Sequence, residues 1–574
     1  MARIVDAYNF EVGRLHGLSH RFHVLPAQAV SCCSQAFPVR ALKTFLLLLL
    51  VVVLVLPVLA VVASWANWDE ASMGILREMA STVLPEYALT TVGLSLMVGV
   101  GVVMVGVPAA VLVTMFDFPG RRTFEWLMLL PLAMPAYVTA YAYTDFLQFA
   151  GPFQTWLRAA FGLEGRVFPE VRSLWGAAWV FAFSLYPYVY LLARTALTER
   201  APQLMEAARL LGASLPRRLR EVALPLARPA IAAGTALALM EVLADFGVVS
   251  YFGVQTFTAG IYKAWLSMDN RMAAAQLATG LLAFVVVVLW IEQRAQKRMR
   301  FAGSSTSRAS SNEARPIQLT GARLAAAWLL CSMPVVMGFV LPVAFMLRPL
   351  AADWSVLPWD SFLLWAWNSI RLGGMTALLA VAVALLLAAS VRRAPGLLTK
   401  AAVQIASLGY AVPGAVIVVG LLLPVGWLQA RWPEARVGYF ITATVMGLLW
   451  AYLVRFSSVA LQSVQSGYAR LPMSLDESAR MLGAGPLRLL TAVHWPLLRR
   501  AGLAAALLVF VDVMKELPAT IVLRPFNTDT LAVVAYQLAR DERLGEAALP
   551  SLALVAVGLL PVIFLSRTLR RTSS

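Results

Sequence analysis

The chain runs to 574 residues, of which 60% are hydrophobic and only 13% charged, where a water-soluble chain carries about a quarter. That composition excludes an ordinary soluble domain and predicts a protein that keeps most of its surface in lipid. The net charge of +17 belongs to membrane-flanking loops rather than to a nucleic-acid surface, because of where the basic residues fall.

Residues 1–44 precede the first apolar run and are expected to form a weakly ordered cytoplasmic extension. They carry His16, His20, His23 and the adjacent Cys32 and Cys33. With Cys331 these are the only cysteines, too few and too oddly spaced for a disulfide framework or a metal knuckle. The first apolar run, from Phe45, is too long for a cleaved signal core.

Twelve apolar segments then follow, each about the 20 residues a bilayer needs. The first six fall at roughly 45–66, 88–116, 126–144, 173–193, 230–251 and 272–291. The second six fall at roughly 324–346, 372–391, 401–428, 437–454, 501–522 and 547–566. The loops after even-numbered segments are basic: Arg121 and Arg122, then Arg194 to Arg228, Arg294 to Arg315, Arg392 to Lys400, and Arg455 to Arg500. The tail adds Arg567, Arg570 and Arg571. Loops after odd-numbered segments are acidic or balanced, with Asp69, Glu70, Glu78 and Glu86 after the first and Asp353 and Asp360 after the seventh. The positive-inside rule therefore puts both termini in the cytoplasm. The fold class expected is all-α membrane protein, with twelve helices in two repeated six-helix bundles. The domains are 45–291 and 324–566, joined by a polar, Ser-rich linker over 292–323 and followed by a tail over 567–574.

The halves repeat each other. PLAMPAYV in the third segment answers GYAVPGAV in the ninth. The loop before segment five, EAARLLGASLPRRLREVALP from Glu206, answers ESARMLGAGPLRLLTAVHWP from Glu477. Both halves enter from the same side, so the repeat is parallel, about an axis along the membrane normal. In each loop good helix formers lead to a Gly suited to a left-handed helix end, Gly212 or Gly483. Pro216 or Pro486 then opens a second short helix. The last proline, Pro225 or Pro496, is expected to break the chain before the next span. The product is a helix–turn–helix knuckle standing in the cytoplasm. A plainer reading remains open, because Ser474 and Glu477 have the spacing of a capping box.

This spacing of Glu-Ala-Ala, Gly and Leu-Pro resembles the coupling loop of permease subunits of ATP-binding-cassette importers. The first copy fits throughout, and the second has Ser478 for the middle Ala and Trp495 for the Leu. The resemblance implies that Glu206, Ala207, Ala208, Gly212 and Pro225, with Glu477, Ala479, Gly483 and Pro496, dock into a cytoplasmic ATPase dimer. No phosphate-binding loop of the Walker type occurs, and the sole histidine outside the extension is His494. The chain is thus expected to be a transport subunit rather than an enzyme, binding no cofactor itself, with ATP used by the partner ATPase. Its expected place is the bacterial cytoplasmic membrane, crossed many times. An ion-coupled secondary transporter of two six-helix halves is the rival architecture, and it would work without an ATPase.

The stretches after the two knuckles, with the fused double layout, resemble bacterial ferric-iron permeases. Fused permeases for thiamine and aminoethylphosphonate belong to the same wider group. The resemblance implies an extracytoplasmic binding protein that delivers the cargo. Glu241 and Asp245 are expected on one face of segment five, with Asp512 and Glu516 equivalent on segment eleven. Acids at that depth either line a wet path or tie helices together, and Lys515 beside Glu516 favours a tie for part of the second set. Tyr251, Tyr262 and Tyr536 lie where a released ion would pass, a place where tyrosine is also common for interfacial reasons. The sequence marks no metal ligand set.

Overall fold

The computed structural model describes residues 36–572 apart from 67–69, 304–316, 353, 356 and 394–395. His16, His20, His23, Cys32, Cys33, Asp69, Arg308, Arg315 and Asp353 lie outside the described residues. Residues up to Leu50 form a small unit of their own, of which only the start of the helix Ala36–Ala63 is described. Everything that follows concerns the large unit from Val51 onward.

Among the described residues the architecture is helical, save for a two-residue parallel pairing of Phe116–Asp117 with Ile317–Gln318. Among the described residues nine helices are long and apolar enough to cross a membrane, or eleven spans if each of two bent pairs counts as one. The remaining expected segment, at 501–522, falls on the helix Trp495–Met514, which carries Arg499, Arg500 and Asp512. The helix Arg271–Gly303 runs past the expected linker boundary at 292, because Glu292 to Ala302 is rich in good helix formers.

In the first half, Leu84–Met115 packs on Leu174–Leu210, which packs on Leu224–Ala244. The first of these is apolar all round. One stripe, through Leu94, Val98 and Val102, is buried, and another, through Leu89, Leu96 and Met104, is bare. A bare apolar stripe on a helix of this length is a face for lipid tails. The second half repeats the plan, with Trp359–Arg393, Met446–Tyr468 and Trp495–Met514 packed on one another.

Segment ten is bent by 60° between Val437–Thr442 and Met446–Tyr468, and four further expected segments are broken at equivalent places in the two halves. Segment three is a helix Arg121–Leu127, a tight turn Leu130–Ala133 and a helix Ala136–Leu147, its two arms bent by 87°. Segment nine is Leu397–Ala406, a tight turn Ser407–Ala411 and Gly414–Arg431. Pro135 and Pro413 sit at the two breaks with nearly the same backbone, φ −59° and ψ 139° against φ −59° and ψ 143°. Proline lacks an N–H and pushes its predecessor out of the α region, and Met134 and Val412 are extended accordingly. The Leu132 carbonyl at the first break is satisfied from the other half, where Lys515 Nζ donates to it at 2.8 Å. Segments five and eleven end early, at Ala244 and Met514, and each restarts as a short helix, Gly247–Tyr251 and Pro518–Leu523.

Candidate coupling loops and translocation path

The two knuckles share one backbone. In the first, Leu211 caps the helix and Gly212 follows at φ +79°; in the second, Leu482 caps and Gly483 follows at φ +80°. Gly212 N–H donates to the Arg209 carbonyl at 2.9 Å, and Ala213 N–H to that of Ala208 at 3.0 Å. Gly483 and Ala484 repeat this on Arg480 and Ala479, at 2.9 and 3.0 Å. This is a Schellman ending, in which Ala208 and Ala479 supply the outer acceptor carbonyl of each cap and Arg209 and Arg480 the inner one. Among the described residues Glu206 makes a surface pair with Arg209, at 3.6 Å. The capping-box reading of Glu477 does not hold. Pro472 takes the N-cap position, Ser474 lies inside the helix Met473–Met481, and no side chain caps it.

Pro225 and Pro496 do not break the chain. Each is the second residue of a helix, Leu224–Ala244 or Trp495–Met514, entered through a π-turn, Leu219–Ala223 or Leu489–His494. An α-helical entry would drive each proline ring into the carbonyl four residues back, and the wider turn relieves that clash. The knuckles therefore run without a break into the helices of segments five and eleven. At their tips the apolar side chains Leu210 and Leu211, and the equivalent Met481 and Leu482, are between 81% and 88% exposed.

A cavity of about 430 Å³ lies between the halves at the four breaks. Glu241, Asp245, Asp512 and Glu516 all line it, with Arg455, Lys515, Tyr137, Tyr188 and Tyr410. The expectation that each acidic pair shares one helical face is corrected by the breaks. Asp245 sits just past Ala244 with extended backbone, φ −75° and ψ 134°, and Glu516 lies beyond the helix end at Met514. Both instead cap the short helix that follows. Asp245 Oδ1 accepts from Val248 N–H at 2.8 Å, and Glu516 Oε1 accepts from Ala519 N–H at 2.8 Å. Glu516 also accepts from Thr520 N–H at 3.0 Å and faces Arg455 Nη1 at 3.8 Å. Glu241 and Asp512 remain on the helices, and Glu241 accepts a short hydrogen bond from the Tyr410 hydroxyl of the other half. Among the described residues no group of three or more His, Cys, Asp or Glu side chains is placed to hold a metal ion.

The three tyrosines marked in the sequence join the halves. Tyr262 Oη donates to the Pro518 carbonyl at 2.5 Å, Tyr536 and Ser250 hydroxyls meet at 2.8 Å, and Tyr251 receives Arg172 Nη2 at 3.3 Å. Arg172 reaches on to Glu542 at 3.2 Å. Arg455, expected among the basic residues of the loop after segment ten, lies inside the helix Met446–Tyr468 and lines the cavity, while Tyr188 and Tyr410 carry no signal in the sequence that sets them apart from other tyrosines of apolar runs.

Residues 102–301 match the family model described as binding-protein-dependent transport system inner membrane component. The chain is 26% identical over 490 residues to a Fe(3+)-transport system permease protein of Haemophilus influenzae, covering 84% of this chain and 90% of that one. It is 30% identical over 199 residues to the sulfate transport system permease protein of Escherichia coli, covering 34% of this chain and 69% of that one. A ferric transport system permease protein of Actinobacillus pleuropneumoniae is 24% identical over 437 residues, covering 72% of this chain and 61% of that one.

Proposed function

The chain belongs to the binding-protein-dependent transport system inner membrane components, the non-catalytic permease subunits of ATP-binding-cassette importers, and we propose that the cargo it passes is ferric iron. An ATPase and a binding protein are the partners that such a subunit works with.

Twelve spans form two permease domains, 45–291 and 324–566, with both termini cytoplasmic. The helix Trp495–Met514 serves as the eleventh span despite its charges. The fused layout is supported by a relative that runs along 84% of the chain, through both halves. Each half then carries one docking knuckle. The reading rests on two Schellman-capped tips that present Leu210, Leu211, Met481 and Leu482 bare on the basic, cytoplasmic side, where a protein groove and not lipid must cover them. ATP-driven closure of the ATPase dimer moves the knuckles, and the π-turns pass that motion to spans five and eleven.

The charge of the cavity carries the choice of cargo. Four carboxylates face one arginine and one lysine there. A unit charge at about 4 Å in an effective dielectric of ~20 is felt at roughly 4 kcal/mol, so the sign of the lining decides what enters. An acidic lining repels an oxyanion such as sulfate and admits a cation. Carboxylate and phenol oxygens are hard donors suited to a hard cation. With two of the acids committed to caps, they form no closed cage, and weak multi-site contact is what conduction requires.

The test is radiolabelled iron uptake in cells lacking the chain and in cells with it restored, with sulfate, thiamine and aminoethylphosphonate run in parallel. Restoration of iron uptake alone is expected. Restoration of an organic cargo or of sulfate instead would overturn the cargo and keep the permease.

A further inference from the structure

The two knuckles are alike in backbone and unlike in how they are held. The second is gripped by a buried polar network. Arg392, at the end of the helix Trp359–Arg393, binds Asp476 through both carboxylate oxygens, at 2.9 and 3.0 Å. The same guanidinium donates to the carbonyls of Tyr468, Leu471 and Pro472, at 3.2, 3.1 and 2.9 Å. On its other side Asp476 Oδ1 lies 3.1 Å from His494 Nε2, and His494 Nδ1 lies 3.0 Å from the Tyr468 hydroxyl. A proton on Nε2 lets the imidazole donate to the carboxylate while Nδ1 faces the phenol. The side chains of Arg392, Asp476 and His494 are only 8%, 3% and 1% exposed. Arg393 adds a bond to the Pro486 carbonyl on the second limb, at 2.6 Å.

The positions of this network place it along the line of force. Asp476 belongs to the limb that ends at Gly483, and His494 closes the π-turn that leads into Trp495–Met514, the helix of Asp512. The ion-paired network thus joins the docking limb straight to a path-lining helix. At the repeat-equivalent positions the first knuckle has Met205 and Ala223, neither able to carry charge. Its ion pairs among the described residues, Glu206 with Arg209 and Arg217 with Glu221, are internal and exposed.

We propose that Arg392, Asp476 and His494 are positioning residues that make the second knuckle and its span one stiff arm, a buried tie that the described side chains of the first knuckle do not repeat. The importer is then driven asymmetrically, with ATPase motion at the second knuckle passed on undiminished and motion at the first partly absorbed. This rests on the docking of the knuckles to the ATPase proposed above.

The test uses the full importer in nanodiscs with its ATPase, and needs no cargo. Spin-label pairs are placed away from the docking tips, at Leu475 and Leu503 on the second arm and at the repeat-equivalent Leu204 and Ala232 on the first. Distance distributions are recorded with and without a non-hydrolysable ATP analogue. The second pair is expected to hold its distance while the first shifts on the order of the 1–2 Å typical of helix adjustments. Asp476→Asn, or Arg392→Lys should the former fail to fold, is expected to broaden and shift the second pair to match the first, with the ATPase still retained. Equal behaviour of the two arms in the unsubstituted protein, or a second arm unmoved by both substitutions, would overturn the proposal. Failure of the unsubstituted chain to retain the ATPase would instead bring down the docking reading itself.

Discussion

Gly212 and Gly483 can be tested by alanine, because the structure separates strain from crowding at these sites. A Cβ added at either meets nothing within 4 Å, yet φ is +79° and +80°. The cost of alanine is therefore purely conformational, about 1 kcal/mol for a left-handed residue with a Cβ. An undocked knuckle can shed that cost by opening its Schellman cap, and docking must impose it again. Since about 1.4 kcal/mol is tenfold, each substitution should weaken ATPase binding by roughly fivefold. The knuckles share no partner, so the double variant should lose roughly the product, about 25-fold. Titration of the purified ATPase against the permease in nanodiscs measures this. Gly485→Ala is the control, since that glycine has open space and an ordinary φ of −69°. Binding by both variants within twofold of the control would refute the reasoning, as would an equal loss in the control.

Glu241→Gln with Asp512→Asn should lower cargo uptake by roughly tenfold or more while ATPase binding stays intact; unchanged uptake would make these acids ties between helices. Pro225→Ala restores an N–H and removes the ring clash, so the π-turn Leu219–Ala223 should relax to α geometry and turn the knuckle by about 100° against its span. Uptake should then fall in a protein that still inserts and folds, and normal uptake would show that the π-turn is incidental. Asp476 has a pH signature. Burial raises its carboxyl pKa, but hydrogen bonds and charge from Arg392 and His494 lower it further, to below the ordinary 3.8. Its contribution is therefore complete above about pH 4 and lost as pH falls through the depressed value. Hydrogen-exchange protection of Met473–Met481 should hold above that point and drop below it, and Asp476→Asn should abolish the step; protection that rises on acidification would contradict this.

The knuckles were legible because their signals are local. A glycine after a run of helix formers and a proline at the next helix start fix the backbone without help from the rest of the chain. The membrane class and the parallel repeat were legible for a similar reason, since composition and loop charge do not depend on packing. The breaks were not. A proline inside an apolar run, Pro135 or Pro413, is compatible with a kinked continuous helix, and only the surroundings decide. Here Lys515, 383 residues from Leu132, makes a full break tolerable by taking the freed carbonyl. The helical-face reading of Asp245 and Glu516 failed for the same reason, as it assumed that segments five and eleven continued. The π-turns replaced an expected chain break, because the clash of Pro225 and Pro496 can be relieved by one wide turn as well as by ending the helix. The grip on the second knuckle was invisible because Arg392 and Asp476 are 84 residues apart.

One chain that supplies both coupling loops fixes the stoichiometry of the importer. Native mass spectrometry of the importer extracted in mild detergent tests it most directly. One copy of this chain with two ATPase subunits is expected, reduced to one ATPase when either knuckle is deleted. A complex with two copies of this chain per ATPase pair, or one that keeps both ATPases after loss of a knuckle, would contradict it.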